Sequence, residues 1–306
     1  MEIIMYDIIV VGAGPAGLTA AIYARRADKS VLVLERGTFG GQMTFSPKIE
    51  NYPGFCQISG NELADKLVEQ ALTLGAEIDM QEVMGVRKEE NGIFCVSCSE
   101  CDFMAHSVII ATGSKHRLLG LPKEEQFIGD GISFCAVCDG AFYLNKTVAV
   151  IGGGNSALVE AIMLSDGCEK VYIVQNLDFL TGEEKLAQIL RGRENVEIIC
   201  GYTVEEILGV DTFNGILIKD VKNGEKMRLD LDGMFVAIGQ VPENEQYRNL
   251  VTLNDRGYIV SDEACLTDTA GLYVAGDCRT KGVRQISTAC ADGATAALAA
   301  CRYLDK

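Results

Sequence analysis

Asp7-Ile-Ile-Val-Val11-Gly12-Ala13-Gly14-Pro15-Ala16-Gly17 opens the chain with a short apolar run that ends on a glycine triplet. The run is β-branched, as expected of a strand buried on both faces. Leu18 to Ala24 then read as a helix, so the triplet sits in the turn between strand and helix. There Gly12 permits the tight bend, Gly14 lets a pyrophosphate approach the backbone, and Gly17 lets helix and strand pack closely. Pro15 and Ala16 complete the loop, and the helix N-terminus supplies unpaired N–H groups to the phosphates. Val31 to Leu34 form the next strand, closed by Glu35, whose carboxylate can bond ribose hydroxyls, with Arg36 beside it. A lone glycine triplet is weak evidence. Strand, helix, strand and terminal acid together specify a nucleotide site.

The pattern recurs. Thr147 to Ile151 read as a strand, Gly152-Gly153-Gly154-Asn155-Ser156-Ala157 as its turn, and Leu158 to Leu164 as the helix, with Val171 to Val174 the strand after it. Alanine at the last position of the fingerprint still allows close helix–strand packing. Two such units predict an α/β protein with two Rossmann-like, three-layer domains built on parallel sheets, the second inserted in the first. Residues 1–115 and 243–306 would build the first domain, and residues 116–242 the second. Phe235 to Gly239 read as the last strand of the insert, and Gln240 to Pro242 as the exit crossing.

Between the two fingerprints lies Cys135-Ala-Val-Cys138-Asp139. A Cys-x-x-Cys pair has three common meanings: a redox dithiol, half of a zinc site, or two unrelated core cysteines. Zinc needs further Cys or His ligands at suitable spacing, and the two histidines, His106 and His116, stand alone in the sequence. The redox reading fits better, because a two-residue spacer lets the sulfurs close a strained, reducible ring. With no histidine nearby, Asp139 is the candidate acid–base group, and burial would have to raise its pKa for it to serve near neutral pH. Asp139 could instead cap a helix, or do both. Cys95, Cys98 and Cys101 form a Cys-x-x-Cys-x-x-Cys run that invites a cluster reading. They fall in an expected hairpin, Ile93 to Ile110, where alternation points neighbours apart, and no fourth cysteine follows at the usual spacing. No metal site is expected.

Composition bounds the compartment and the partners. The 306 residues are enough for two domains, and the 48% apolar content with 33 glycines suits an α/β enzyme rich in tight turns. A formal charge of −16 argues against nucleic acid and anionic membranes as partners. An acidic protein partner would need a local basic patch. Twelve cysteines, and an N-terminus that runs straight into the first strand, lead to the expectation of a reducing cytoplasm.

Gly40-Gly41-Gln42, Glu50-Asn51-Tyr52-Pro53-Gly54, Ala111-Thr112-Gly113 and Gly276-Asp277 resemble the flavin-contacting segments of the small bacterial thioredoxin reductases. Arg284-Gln285-Ile286 resembles the family's segment beside the flavin, at the start of a small-residue helix from Ala289 to Leu304. The resemblance runs in order from Tyr6 to Leu304. It implies an FAD enzyme in which Asp277 holds the ribityl chain, Cys138 lies against the flavin, and Cys135 attacks the disulfide of a thioredoxin-like substrate. It also implies a homodimer whose central domain rotates about the two crossings.

One family feature is missing. Members that use NADPH carry His-Arg-Arg-x-x-x-Arg after the second fingerprint, whereas this chain has Gln175-Asn-Leu-Asp-Phe-Leu-Thr181. Each charge-assisted bond to a 2′-phosphate is worth roughly 1.5–3 kcal/mol, so losing two or three costs about two orders of magnitude in NADPH preference. Three donors stay open: NADH selected by Gln175 or Asp178, NADPH through other contacts including Arg191 or Arg193, or a protein such as ferredoxin. The degenerate motif favours ferredoxin, as in the ferredoxin-dependent flavin thioredoxin reductases. The retained glycines argue for a pyridine nucleotide, though packing alone could keep them. Two rival readings are the reductase of a peroxiredoxin system and a non-catalytic flavin redox sensor.

Overall fold

The computed structural model describes residues 5–306; residues 1–4, placed in the first domain above, lie outside the described residues. The chain divides into two compact units, Met1–Lys115 with Val241–Lys306, and His116–Gln240.

In the first unit the strand Met5–Val11 lies between Val31–Glu35 and Asp102–Ile110, parallel to both, with Val10 opposite Val33 and Ile109. Glu77–Met80 extends the sheet on one side, and the antiparallel strands Phe94–Cys98 and Val83–Lys88 extend it on the other. Leu272–Val274 joins late in sequence, parallel to the end of Asp102–Ile110. Alternation along the first strand explains its apolar run. Ile8 and Val10 pack with Leu18, Ala20 and Ala297 from the helices Pro15–Arg26 and Ile286–Leu304. Ile9 and Val11 face the other way, against Phe94, Val96 and Tyr247. All four are essentially inaccessible, and each contributes about 1.5–3 kcal/mol by leaving water.

The second unit repeats the plan. Its five strands run in the order Val196–Cys200, Lys170–Gln175, Thr147–Ile151, Gly233–Val236 and Ile132–Ser133, all parallel. Val148 and Val150 pack against the helices Asn155–Ser165 and Glu184–Arg191. Ala149 and Ile151 pack against an antiparallel sheet made of Tyr202–Gly209, Phe213–Asp220 and Lys226–Asp230. The edge strand Ile132–Ser133 ends two residues before Cys135 and so delivers the dithiol to the strand ends.

The α/β class with two Rossmann-like parallel sheets agrees with the sequence reading. Boundaries differ. The helices after the fingerprints begin at Pro15 and Asn155, because the glycine-loop residues already adopt helical backbone. The closing strand of the insert is Gly233–Val236, starting two residues and ending three residues earlier than expected. The C-terminal helix starts at Ile286, capped reciprocally by Gln285 and Thr288. Among the described residues no helix is long and apolar enough to cross a membrane.

Candidate functional site

Cys135 ends the approach from the edge strand in extended backbone and caps the short helix Ala136–Asp139. The Cys138 amide donates to Cys135 Sγ at 3.2 Å and the Asp139 amide to the Cys135 carbonyl at 3.0 Å. The two cysteines are joined as a disulfide with their Cα atoms 5.3 Å apart. The other ten cysteines are free.

Asp139 does not cap a helix through its side chain. Cys135 takes that place at the first turn, and the 3₁₀ turn that follows, Gly140–Tyr143, receives no side-chain bond from Asp139. Its Oδ2 instead accepts a 2.6 Å bond from Ser133 Oγ, which itself accepts from the Cys135 amide at 3.1 Å. Its Oδ1 is buried without a partner. Burial therefore pushes the Asp139 carboxyl up from its ordinary range, and the Ser133 bond offsets part of that rise. A carboxyl held this way, four residues from Cys135, is suited to carry a proton for the thiols.

The sequence reading had no histidine close to the dithiol. In the fold His116 stacks on Phe134, next to Cys135, with ring centroids 4.6 Å apart. Burial lowers its pKa to about 4, so the imidazole is neutral near pH 7 and does not displace Asp139 as the proton source. Replacing Asp139 with Asn is expected to slow disulfide reduction about 10²–10⁴-fold. The pH profile gives the sign: the protonated carboxyl is the donor, so wild-type rate falls as pH rises through its raised pKa. That limb should vanish in Asp139→Asn, and stopped-flow rates across pH check both.

At the second fingerprint, the Gly153 carbonyl accepts from the amides of Thr181 and Gly182, both at 2.8 Å. Asn155 Oδ1 accepts from the Glu183 amide at 2.6 Å, while Asn155 Nδ2 donates to the Glu183 carboxylate at 3.1 Å. The loop after the strand is thus tied to Gly153 and Asn155. Ser156 is exposed at the start of the helix and Ala157 is buried beneath it, with a Cβ at Gly152 in contact range of Ala157 and only 2.6 Å from the Ala237 carbonyl. Gln175 is buried, its amide donating to the Phe179 carbonyl at 3.4 Å. Asp178 pairs with Lys222 at 2.7 Å. Arg191 and Arg193 are bound to Glu184 and Asp166, both at 2.5 Å. No basic side chain occupies positions 175–181.

In the first unit the predicted flavin residues fall on one set of strand ends and loops. Gly12 has φ +108°, and a Cβ there would lie 2.4 Å from the Ala111 carbonyl; at Gly14 a Cβ would meet nothing, leaving the helix N-terminus open to a ligand. A Cβ at Gly17 would collide with the Gly12 carbonyl, so that glycine serves packing. Glu35 Oε2 accepts from the Ala13 amide at 2.8 Å and Oε1 from the Gly37 amide at 2.9 Å, which fixes the carboxylate at the loop. Arg36 pairs with Glu243 and Glu82. Gly41 lies against Gly14, with Gln42 exposed beside it, and Asn51 donates to Gln285 at 3.2 Å. Thr112 reaches Asn244 at 3.5 Å, and Gly113 has a left-handed φ of +68°. Arg284 lies over the Tyr258 ring at 4.2 Å and donates to the Asp277 carbonyl at 3.4 Å. Ile286 packs on the same core as Ala16, and Gly276 brings its backbone against Ala16.

Asp277 gives the clearest test of whether the site fits FAD. Its Oδ1 is buried with no partner, and burial raises its pKa, opposed by Lys281 and Arg284. A buried carboxylate oxygen without a donor is costly unless a ligand hydroxyl supplies one. The open backbone at Gly14 and the orphaned Asp277 oxygen both fit a dinucleotide carrying a polyol chain, as FAD does. Replacing Asp277 with Ala is expected to weaken FAD retention about 10–100-fold, the value of one or two charge-assisted bonds. Flavin stoichiometry after dialysis reads this directly, and full retention would remove Asp277 from the site.

Sequence reasoning missed two supporting groups. Ser133 carries no sequence signal, since its role depends on the fold. Asp292 accepts from the Gly276 amide at 3.0 Å and from Arg279 and Lys281 at 3.1 and 2.8 Å, holding the loop that carries Asp277. Its signal was present: it is the single acid in a helix of small residues. Among the described residues no group of His, Cys, Asp or Glu is arranged to hold a metal.

A family model described as pyridine nucleotide-disulphide oxidoreductase matches residues 6–293. The chain is 41% identical over 306 residues to a thioredoxin reductase of Listeria monocytogenes, covering 99% of this chain and 95% of that protein. It is 40% identical over 298 residues to a 34.2 kDa protein in the rubredoxin operon of Clostridium pasteurianum, covering 97% of each. The crystal structure of a Streptococcus pyogenes thioredoxin reductase superposes with a TM-score of 0.93 at 39% identity, covering 98% of both chains.

Proposed function

The chain belongs to the low-molecular-weight thioredoxin reductases among the pyridine nucleotide-disulphide oxidoreductases, and from that premise we propose that it reduces a thioredoxin-type protein through the Cys135–Cys138 pair. The observation that carries the reading is the Cys135–Cys138 disulfide followed directly by Asp139, whose Oδ1 is buried and whose carboxyl burial pushes up. FAD would be held by Gly12 to Gly17, Glu35, Asp277 and the Arg284 segment, and when bound supplies a two-electron carrier. The chain's own part is proton and thiol chemistry. Ser133 orients Asp139 and the Cys135 amide together, Asp139 delivers a proton as the disulfide opens, and the thiolate of Cys135 attacks the substrate disulfide. Cys138 then displaces the reduced substrate and closes the ring again. The proposal extends to a homodimer.

The donor is the finer part of the proposal. The absence of basic residues from Gln175 to Thr181, with Arg191 and Arg193 paired elsewhere, supports a donor other than NADPH, and reduced ferredoxin is the reading we favour. A pyridine nucleotide is the second reading, favoured by the intact Gly152–Gly154 loop. The role of the two thiols is tested by trapping. Cys138→Ser should form a stable mixed disulfide with a thioredoxin activated at one cysteine, while Cys135→Ser should form none. Adduct formation through position 138 instead would reverse the assignment.

A further inference from the structure

The hairpin formed by Phe94–Cys98 and Asp102–Ile110 pairs Ser97 with Asp102, Val96 with Phe103 and Cys95 with Met104. Carried one step towards the turn, that register sets Cys98 directly opposite Cys101, and the Cys98 amide donates to the Cys101 carbonyl at 3.2 Å. Directly opposed residues project to the same face, with Cα atoms about 5.5 Å apart at a hydrogen-bonded pair. That spacing lies inside the range a disulfide spans, roughly 4.4–6.8 Å. The expectation that alternation keeps these cysteines apart thus holds for neighbours along a strand and fails across the turn.

We propose that Cys98 and Cys101 are a second redox dithiol, a clip that closes to a disulfide across the hairpin when the surrounding thiol pool is oxidised. Both side chains are half-buried, unlike the buried Cys95, and neither belongs to the site built around Cys135. The turn between them is held in place. The Ser99 amide donates to the Glu82 carbonyl at 3.0 Å, Ser99 Oγ donates to the buried Gln81 at 3.4 Å, and Gln81 Nε2 donates to Glu100 at 3.3 Å. A fixed register lowers the ordering cost of bringing the sulfurs together. Cys95 stays out of the pair. It lies on the opposite face and its thiol donates to Asp102 at 3.5 Å.

The order of attack follows from the surroundings. Burial, with Cys101, Asp102 and Asp79 adding to it, pushes the Cys98 thiol up to about 12, which makes it a poor first nucleophile. Cys101 therefore attacks. Its thiolate breaks the S–S bond of a low-molecular-weight disulfide, forms a mixed disulfide and releases one thiolate. Cys98 then loses its proton, attacks the Cys101 sulfur and releases the second. The two cysteines together lose two electrons, the small disulfide gains them, and its two thiolates take up the two protons.

The test equilibrates the holoenzyme with glutathione buffers from fully reduced to fully oxidised. Free thiols are then blocked with N-ethylmaleimide and the peptide spanning Cys95 to Cys101 is sequenced by fragmentation. Oxidation should lower labelling of Cys98 and Cys101 together by about tenfold and yield the 98–101 cross-link, with Cys95 labelled only after unfolding. In Cys98→Ser, Cys101 should accumulate as the glutathione mixed disulfide. In Cys101→Ser, Cys98 should stay reduced. Full labelling of both cysteines in oxidised glutathione, a cross-link to Cys95, or equal glutathionylation in the two variants would overturn the proposal.

Discussion

Serine at either Cys135 or Cys138 should abolish turnover with a thioredoxin disulfide, by roughly 10³-fold or more, while leaving flavin binding unchanged. The two halves of this expectation have separate origins in the structure. The loss of activity follows because the pair acts as a unit: one sulfur must open the substrate disulfide and the other must resolve the adduct, so removing either stops the cycle. The retained flavin follows because Gly12 to Gly17, Glu35 and Asp277 all belong to the first compact unit, whereas both cysteines belong to the second. Neither substitution disturbs a core, since Cys135 caps and Cys138 lies within a short helix after an edge strand, both only half-buried. Steady-state reduction of thioredoxin, with flavin absorbance on the same samples, measures both. Activity within tenfold of wild type in either variant would take the dithiol out of the mechanism.

The second large effect concerns the electron donor. In the position where a 2′-phosphate would be read, Gln175 is buried with its amide bonded to the Phe179 carbonyl, and Asp178 is paired with Lys222. Two or three missing charge-assisted bonds correspond to about 10²-fold or more in NADPH preference. Mixed anaerobically, NADPH is therefore expected to bleach the flavin absorbance slowly and without saturating, and the proposed donor, reduced ferredoxin, to bleach it faster at equal concentration. If NADPH bleached it fastest, the proposed donor would be wrong and the Gly152–Gly154 loop would be holding nucleotide through contacts other than arginine.

The fold was legible because its signals are local. A β-branched strand, a glycine turn and a helix occupy consecutive residues, and each requirement is visible in residue type: no Cβ fits at Gly12 or Gly17, and Ile8 and Ile9 must both be buried. The dithiol and Asp139 were legible for the same reason, being adjacent in sequence. What could not be read depends on how the backbone turns and pairs, not on residue type. His116 reaches Phe134 only through the fold, and Ser133 acquires its role only because the helix after Cys135 turns Asp139 back towards it. The pairing of Cys98 with Cys101 depends on hairpin register, which a two-residue turn sets and strand periodicity alone does not. Asp292 had a sequence signal, a lone acid in a small-residue helix, but its partners lie in the preceding loop and the strand end before it.

In the proposed cycle one chain stores an electron pair on a bound flavin and a second pair on Cys135–Cys138. An anaerobic reductive titration of the purified protein, followed at the flavin absorbance, counts both pairs. About four reducing equivalents per chain are expected for the wild type and about two for the variant in which both cysteines are serine. Equal uptake by the two proteins, or a preparation that stays colourless after incubation with FAD, would contradict it.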